Sequence, residues 1–215
     1  MKGECAMSLV LEFVSCVVKN LVSVPESVMD GWVQNPKALQ EALTKALCPP
    51  VRWRKEDGTI YFDVVSDGTT GQGWIDRLEK KGIKIGDYAK SLLLSPDFKP
   101  TNGVKSTIAV LPGEMFFDQD RVTNKIRAEA DRRKLTKPEA EVACLIREMF
   151  TDKEIEAMGL YWIIAMHEPI ADSDGRLRLL GAGRRDGSWL DACCGGPGRR
   201  WPRGSGFAFV SQVSS

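Results

Sequence analysis

The sequence predicts an α+β protein, and three observations carry that prediction. Helix-like and strand-like segments fall in blocks rather than alternating as β-α-β units, which disfavours a dinucleotide-type fold. The first 48 residues read as helix. The C-terminal end is a series of short β-prone runs separated by Gly-rich turns. The expected organisation is a small helical domain over residues 1–50 followed by a larger domain over 51–215, with a helical insertion among its strands.

In the N-terminal part, Leu9, Val10, Phe13, Val14, Val17, Val18, Leu21 and Val22 form one broad apolar stripe. Pro25 is expected to break that helix. Asn35-Pro36 reads as an N-cap with proline at the first helical position, and Leu39, Ala42, Leu43, Ala46 and Leu47 then share a face. Cys48-Pro49-Pro50 ends it. So small a piece cannot hide this apolar surface alone. Self-association through these helices is therefore expected as an alternative to docking on the same chain.

Thr59 to Val65 is a strand by its β-branched and aromatic content, and Asp67-Gly68 marks a turn. A helix is expected from about Trp74 to Lys81, with Gly82 after its C-terminus. Asp87 is expected to cap a short helix through Leu94, and Ser106 to Leu111 to form a second strand. Asp118 is placed as the cap of a charged helix of about Gln119 to Lys134. Thr136-x-x-Glu139 and Thr151-x-x-Glu154 read as capping boxes of the next two helices. Leu160 to His167 is apolar enough for a central strand, and Phe207 to Val210 closes the pattern.

Composition narrows the function classes. With 43% hydrophobic residues and a net charge of +1, the chain can bury a core and is neither a basic coat nor an acidic tail protein. The longest apolar stretch, Ala6 to Val18, is interrupted by Glu12 and too short to span a bilayer; with one Lys in front, that carboxylate in the middle and no small-x-small site behind, it is a poor signal peptide. No membrane association and a cytoplasmic location are expected. Six cysteines and one histidine show no ligand-like spacing, so no metal site is expected. Gly71-Gln-Gly73 lacks the Lys-Ser/Thr of a phosphate loop, and no cofactor is implied.

Residues 176–206 differ in kind from the rest. They contain no Lys, Glu, Gln or Met, yet carry seven arginines against two aspartates, a local charge of +5. The genetic code offers a reason. An AAC codon randomised at both adenines always ends in C, and such codons cannot encode Lys, Glu, Gln, Met or Trp. Apart from Trp189 and Trp201, the segment lacks that set.

Asp186-Gly-Ser-Trp189, a Pro- and Arg-containing spacer and Gly206-Phe-Ala-Phe209 resemble the end of a C-type lectin fold, in the formylglycine-generating-enzyme branch. More closely, residues 57–215 are similar to the variable proteins of diversity-generating retroelements. In that family a reverse transcriptase copies a template repeat with mutation at adenines. The copy replaces the 3′ part of the target gene, and a C-type lectin-like scaffold displays the changed residues to ligands. The resemblance implies a framework of Leu179, Leu180, Trp189, Leu190, Trp201 and 206–212, with Trp189, Trp201, Gly206, Phe207 and Phe209 as its anchors. It implies a variable, ligand-binding face of Gly181, Gly183, Arg184, Arg185, Asp186, Ser188, Asp191, Cys193, Cys194, Gly195, Gly196, Gly198, Arg199, Arg200, Pro202, Gly204 and Ser205. Two departures stand out. The branch's Gly-Phe-Arg is Gly-Phe-Ala here, and 176–206 contains no Asn. The first 48 residues lie outside the resemblance.

The expected function is therefore non-enzymatic binding of a protein or other macromolecule. The alternative is nucleic-acid binding, with arginines on phosphates and Trp189 and Trp201 stacking on bases. Three smaller features read as structural. Cys193-Cys194 is expected to be a pair of free thiols in the contact surface, His167-Glu168 the end of a strand, and Asp172-Ser-Asp-Gly175 a turn without the downstream Glu of a calcium loop.

Overall fold

A computed structural model describes residues 25–47, 52–184 and 186–211, with the side chains of 44–47 excepted. The chain divides into two units, Met1–Val51 and Arg52–Ser215. In the first unit, α1 spans Glu26–Gln34 and α2 spans Pro36–Leu47. The expected stripe from Leu9 to Val22 lies outside the described residues. Pro25 stands at the start of α1, where its carbonyl accepts from the amide of Val28 at 2.9 Å and a missing N–H costs nothing; the helix it is expected to break lies outside the described residues. Asn35 caps α2 as expected, its Oδ1 accepting from the amide of Ala38 at 3.2 Å.

The second unit is a mixed α+β structure built on one large sheet. In chain order it runs β1 (Arg54–Glu56), β2 (Thr59–Asp67), α3 (Gly71–Lys80), β3 (Lys84–Ile85), α4 (Asp87–Leu93) and β4 (Asn102–Pro112). After a 3-10 turn at Gly113–Met115 come α5 (Thr123–Arg132), β5 (Leu135–Thr136), α6 (Val142–Met149) and α7 (Asp152–Ala157). The chain ends in β6 (Trp162–Ala165), β7 (Ile170–Ala171), β8 (Leu177–Arg184), β9 (Ser188–Cys194) and β10 (Ser205–Ser211). The sheet order is β1-β2-β4-β10-β6-β8-β9-β3, with β5 on β10 and β7 on β8. β10 lies antiparallel to β4 and parallel to β6, so the last strand joins the two halves of the sheet.

Alternation along the strands divides the core in two. Ile60, Ile108, Ala208, Ile163, Leu180 and Leu190 face one way, into a cluster with Trp74, Leu78 and Leu92 of α3 and α4 and Ile146 and Ile155 of α6 and α7. Leu111, Phe207, Phe209, Ile164 and Leu179 face the other way and meet Ile126 and Ala130 of α5 and the indole of Trp201.

Several expected helix starts fall elsewhere. Asp87 sits in the first turn of α4, but the cap is Gly86, where a β-carbon would stand 2.3 Å from Asp191 Oδ1. Asp118 caps no helix; it pairs with Arg121 at 2.5 Å, and α5 begins five residues later. Thr136 is a strand residue opposite Val210, and α6 starts only at Val142. There Glu141 is turned inward and accepts from the amide of Thr101 at 3.0 Å. The box at Thr151 and Glu154 forms as the spacing predicts, and Arg52 adds an ion pair to Glu154 at 2.7 Å. Gly82 and Gly159 follow their helices with φ of +75° and +77°.

Candidate functional site

The segment singled out by composition folds into the β8–β9 hairpin, a connecting loop and the start of β10. In the hairpin Leu180 pairs with Ala192 and Ala182 with Leu190, and these side chains pack under the helical layer. The intervening residues face the other side: Leu179, Gly181 and Gly183 from β8, and Trp189, Asp191 and Cys193 from β9. Strand β6 continues this face, with Trp162 opposite Gly183 and Ile164 opposite Gly181.

Across this face the loop of residues 195–204 is tied down by its backbone. Thr123 N–H donates to the Arg199 carbonyl at 3.1 Å, Trp201 N–H to the Arg121 carbonyl at 3.0 Å, and Tyr161 N–H to the Gly204 carbonyl at 2.7 Å. Beneath it the Arg121 guanidinium donates to the carbonyls of Gly113 and Trp201 at 3.0 and 3.3 Å. Trp201 is buried, donates its indole N–H to Thr123 Oγ1 at 3.0 Å and meets the Phe207 ring edge-on at a centroid distance of 5.8 Å. A loop so anchored can carry different side chains on a fixed backbone.

The residues expected to bind divide by burial. Asp186, Cys194, Gly198, Arg199, Arg200 and Pro202 are exposed; Arg184, Ser188, Asp191, Cys193, Gly196 and Gly204 are half-buried. Gly181, Gly183, Gly195 and Ser205 are buried and present no side-chain position to solvent. Arg185 lies outside the described residues. Arg184 is a fastened residue: its Nε donates to the Leu160 carbonyl at 2.8 Å, it pairs with Glu156 at 3.2 Å, and it lies 5.1 Å over the Tyr161 ring. Ser188 donates to Asp152 Oδ1 at 2.9 Å. Cys193 and Cys194 are free and point to opposite faces of β9; burial pushes the Cys193 thiol up to about 11, so it stays protonated near neutrality.

Among the expected anchors, Trp201, Gly206, Phe207 and Phe209 are buried. Trp189, expected inside, is half-buried; its indole N–H donates to Asp186 Oδ1 at 3.0 Å and Lys84 Nζ sits 5.1 Å over its ring. The structure also brings in residues that sequence reasoning passed over. Trp162 borders the face from β6, Tyr161 just before that strand lies under Arg184 at 5.1 Å, and Tyr88 stacks under Arg178 at 3.9 Å. No local signal marks them, because strand register and loop path bring them there.

The features read as structural have structural partners. His167 Nε2 accepts from the amide of Leu180 at 2.9 Å, its Nδ1 lies 2.6 Å from the Glu168 carbonyl, and burial lowers its pKa to about 4. Asp172 Oδ1 accepts from the amides of Asp174 and Arg176, each at 2.9 Å, and its other oxygen binds Arg178. Among the described residues no helix is long and apolar enough to cross a membrane.

The face offers guanidinium donors, indole rings and short polar groups on a rigid support, a set suited to non-covalent contact. In comparisons with protein-family models, curated proteins and solved structures, nothing matches this chain.

Proposed function

We propose that the chain is a binding protein, not an enzyme, with a C-type lectin-like second domain whose C-terminal segment is diversified by an adenine-directed retroelement. The observation that carries this reading is the way one segment of skewed composition divides. Four of its large apolar residues, Leu179, Leu180, Leu190 and Trp201, are buried, with Trp189 half-buried and Leu177 exposed, while Asp186, Cys194, Gly198, Arg199, Arg200 and Pro202 stand on the hairpin tip, the end of β9 and the loop. Side chains so placed can be exchanged at little cost in stability. Aromatic and arginine residues on such a surface suit a macromolecular ligand.

The test is the DNA around the gene. The expected result is a near-copy of the stretch encoding 176–206, differing where the copy has adenine, beside a reverse-transcriptase reading frame. Absence of both refutes the retroelement reading. Binding to arbitrary nucleic acid with an affinity that collapses between low and moderate salt favours the alternative, nucleic-acid-binding function.

A further inference from the structure

One row of residues crosses the sheet from β10 to β9: Ser205, Trp162, Gly183 and Trp189. Trp162 alone among them lies outside 176–206. Its ring is seated on Gly183, where a β-carbon would stand 2.5 Å from two ring atoms. The same ring lies 3.5 Å from a β-carbon placed at Gly181. The two glycines are thus the seat of the indole, and any side chain at 183 evicts it. Trp162 remains half-buried, and Gly183 separates it in this row from Trp189.

We infer that Trp162 is a fixed contact residue of the binding face, an aromatic platform used whatever side chains the exposed positions of the neighbouring segment carry, so long as position 183 stays glycine. This rests on the binding reading above. Tryptophan supplies a large contact area at low entropic cost, which is why such residues dominate protein interfaces. The ligand that fits is a folded protein presenting an apolar side chain among carboxylates. Among the described residues the arginines of the segment that form ion pairs are Arg178 and Arg184. Arg199, Arg200 and Arg203 are exposed and available to acidic groups. A nucleic acid fits less well, because Asp186 is bonded to the Trp189 indole and Asp191 occupies the next row, setting two carboxylates where phosphates would pass.

The test is a display library of the full chain, randomised at Asp186, Asp191, Cys193, Cys194 and Gly198, with Trp162, Arg199, Arg200 and Arg203 retained. It is selected against ovalbumin as an acidic protein and against lysozyme as a basic one. Binders are expected chiefly against ovalbumin. Placing Trp162→Ala in them should weaken binding about tenfold or more, the loss expected of an interface anchor. Trp162→Leu, which still covers Gly183, should give a similar loss at an unchanged melting temperature, and Trp162→Phe should restore much of the affinity. Affinities within twofold of the parent in both the Ala and Leu variants overturn the inference while leaving the binding reading intact. No binder from a library displayed at the normal level overturns the binding reading and the inference with it. Single-stranded DNA retained in preference to ovalbumin overturns the choice of a protein ligand.

Discussion

The guanidinium of Arg147 donates to the carbonyl of Gly183 at 2.7 Å. The same side chain, 1% exposed, pairs with Asp152 at 3.0 Å and also binds the carbonyl of Phe150. Gly183 is therefore held twice, through its backbone by an arginine from the helical layer and through its open face by the Trp162 ring. Burial works against the charge of Arg147 and lowers its pKa, and the Asp152 carboxylate opposes that effect. Replacing Arg147 with Ala leaves the carbonyls of Gly183 and Phe150 without this donor and Asp152 with only its bond from Ser188. The expected loss is about 3 kcal/mol, the range found when one member of a buried pair is removed. Urea unfolding of the variant checks it.

Glycine substitutions should separate by position. A β-carbon at 183 meets the Trp162 ring at 2.5 Å, whereas one at Gly198 meets nothing within 4 Å. Gly183→Ala should lower stability by about 1–3 kcal/mol, as overpacking does, and shift tryptophan fluorescence to the red as the indole moves outward. Gly198→Ala should leave both unchanged.

The arginines of the segment should also separate. Arg199→Ser and Arg200→Ser remove exposed side chains, and the melting temperature is expected to stay within about 2 °C. Arg184→Ser removes the bond to the Leu160 carbonyl and the pair with Glu156, so a loss of about 1 kcal/mol is expected. Treating the three alike, as composition suggests, overlooks that Arg184 belongs to the scaffold. Thermal melts of the single variants decide it.

His167 predicts an acid-sensitive fold. Its pKa is about 4 in the folded chain against 6.5 for the free side chain, because burial disfavours the imidazolium. The unfolded chain therefore binds the extra proton first. This contribution to stability is complete above about pH 6.5 and is lost as pH falls through about 4, amounting to roughly 3 kcal/mol. Protonation would also cost Nε2 its role as acceptor for the Leu180 amide. Stability measured from pH 7 to pH 4.5 should fall in the native protein and fall less steeply in His167→Gln. With one histidine in the chain, the titration can be followed directly by NMR.

Much of the fold was legible where a local rule acts alone. The Thr151–Glu154 box, the Asn35 cap and the glycines after α3 and α7 depend on residues within one turn, and the structure has them. Asp87, Asp118 and Thr136 also carry cap-forming side chains, but tertiary partners claim their surroundings: Asp191 crowds Gly86, Arg121 takes Asp118, and Val210 pairs with Thr136. The candidate face was legible as a composition and not as a surface. Alternation sends Gly181 and Gly183 to the side of Trp189, Asp191 and Cys193, but their burial comes from Trp162, about twenty residues upstream and adjacent only through register.

The placement of β10 bears on how the chain is made. Ser205–Ser211 is the strand between β4 and β6, so without it the sheet falls into two pieces, each with an unpaired edge. Those residues follow 176–204 in the chain, so the sheet closes only after that stretch has been translated. Any mutation that introduces a stop codon or shifts the reading frame within that stretch removes the strand that completes the sheet. Such a product is left with open β edges, a target for proteolysis and aggregation. The architecture thus makes folding itself a proofreading step, because a segment must be read through in frame before the chain can close its sheet.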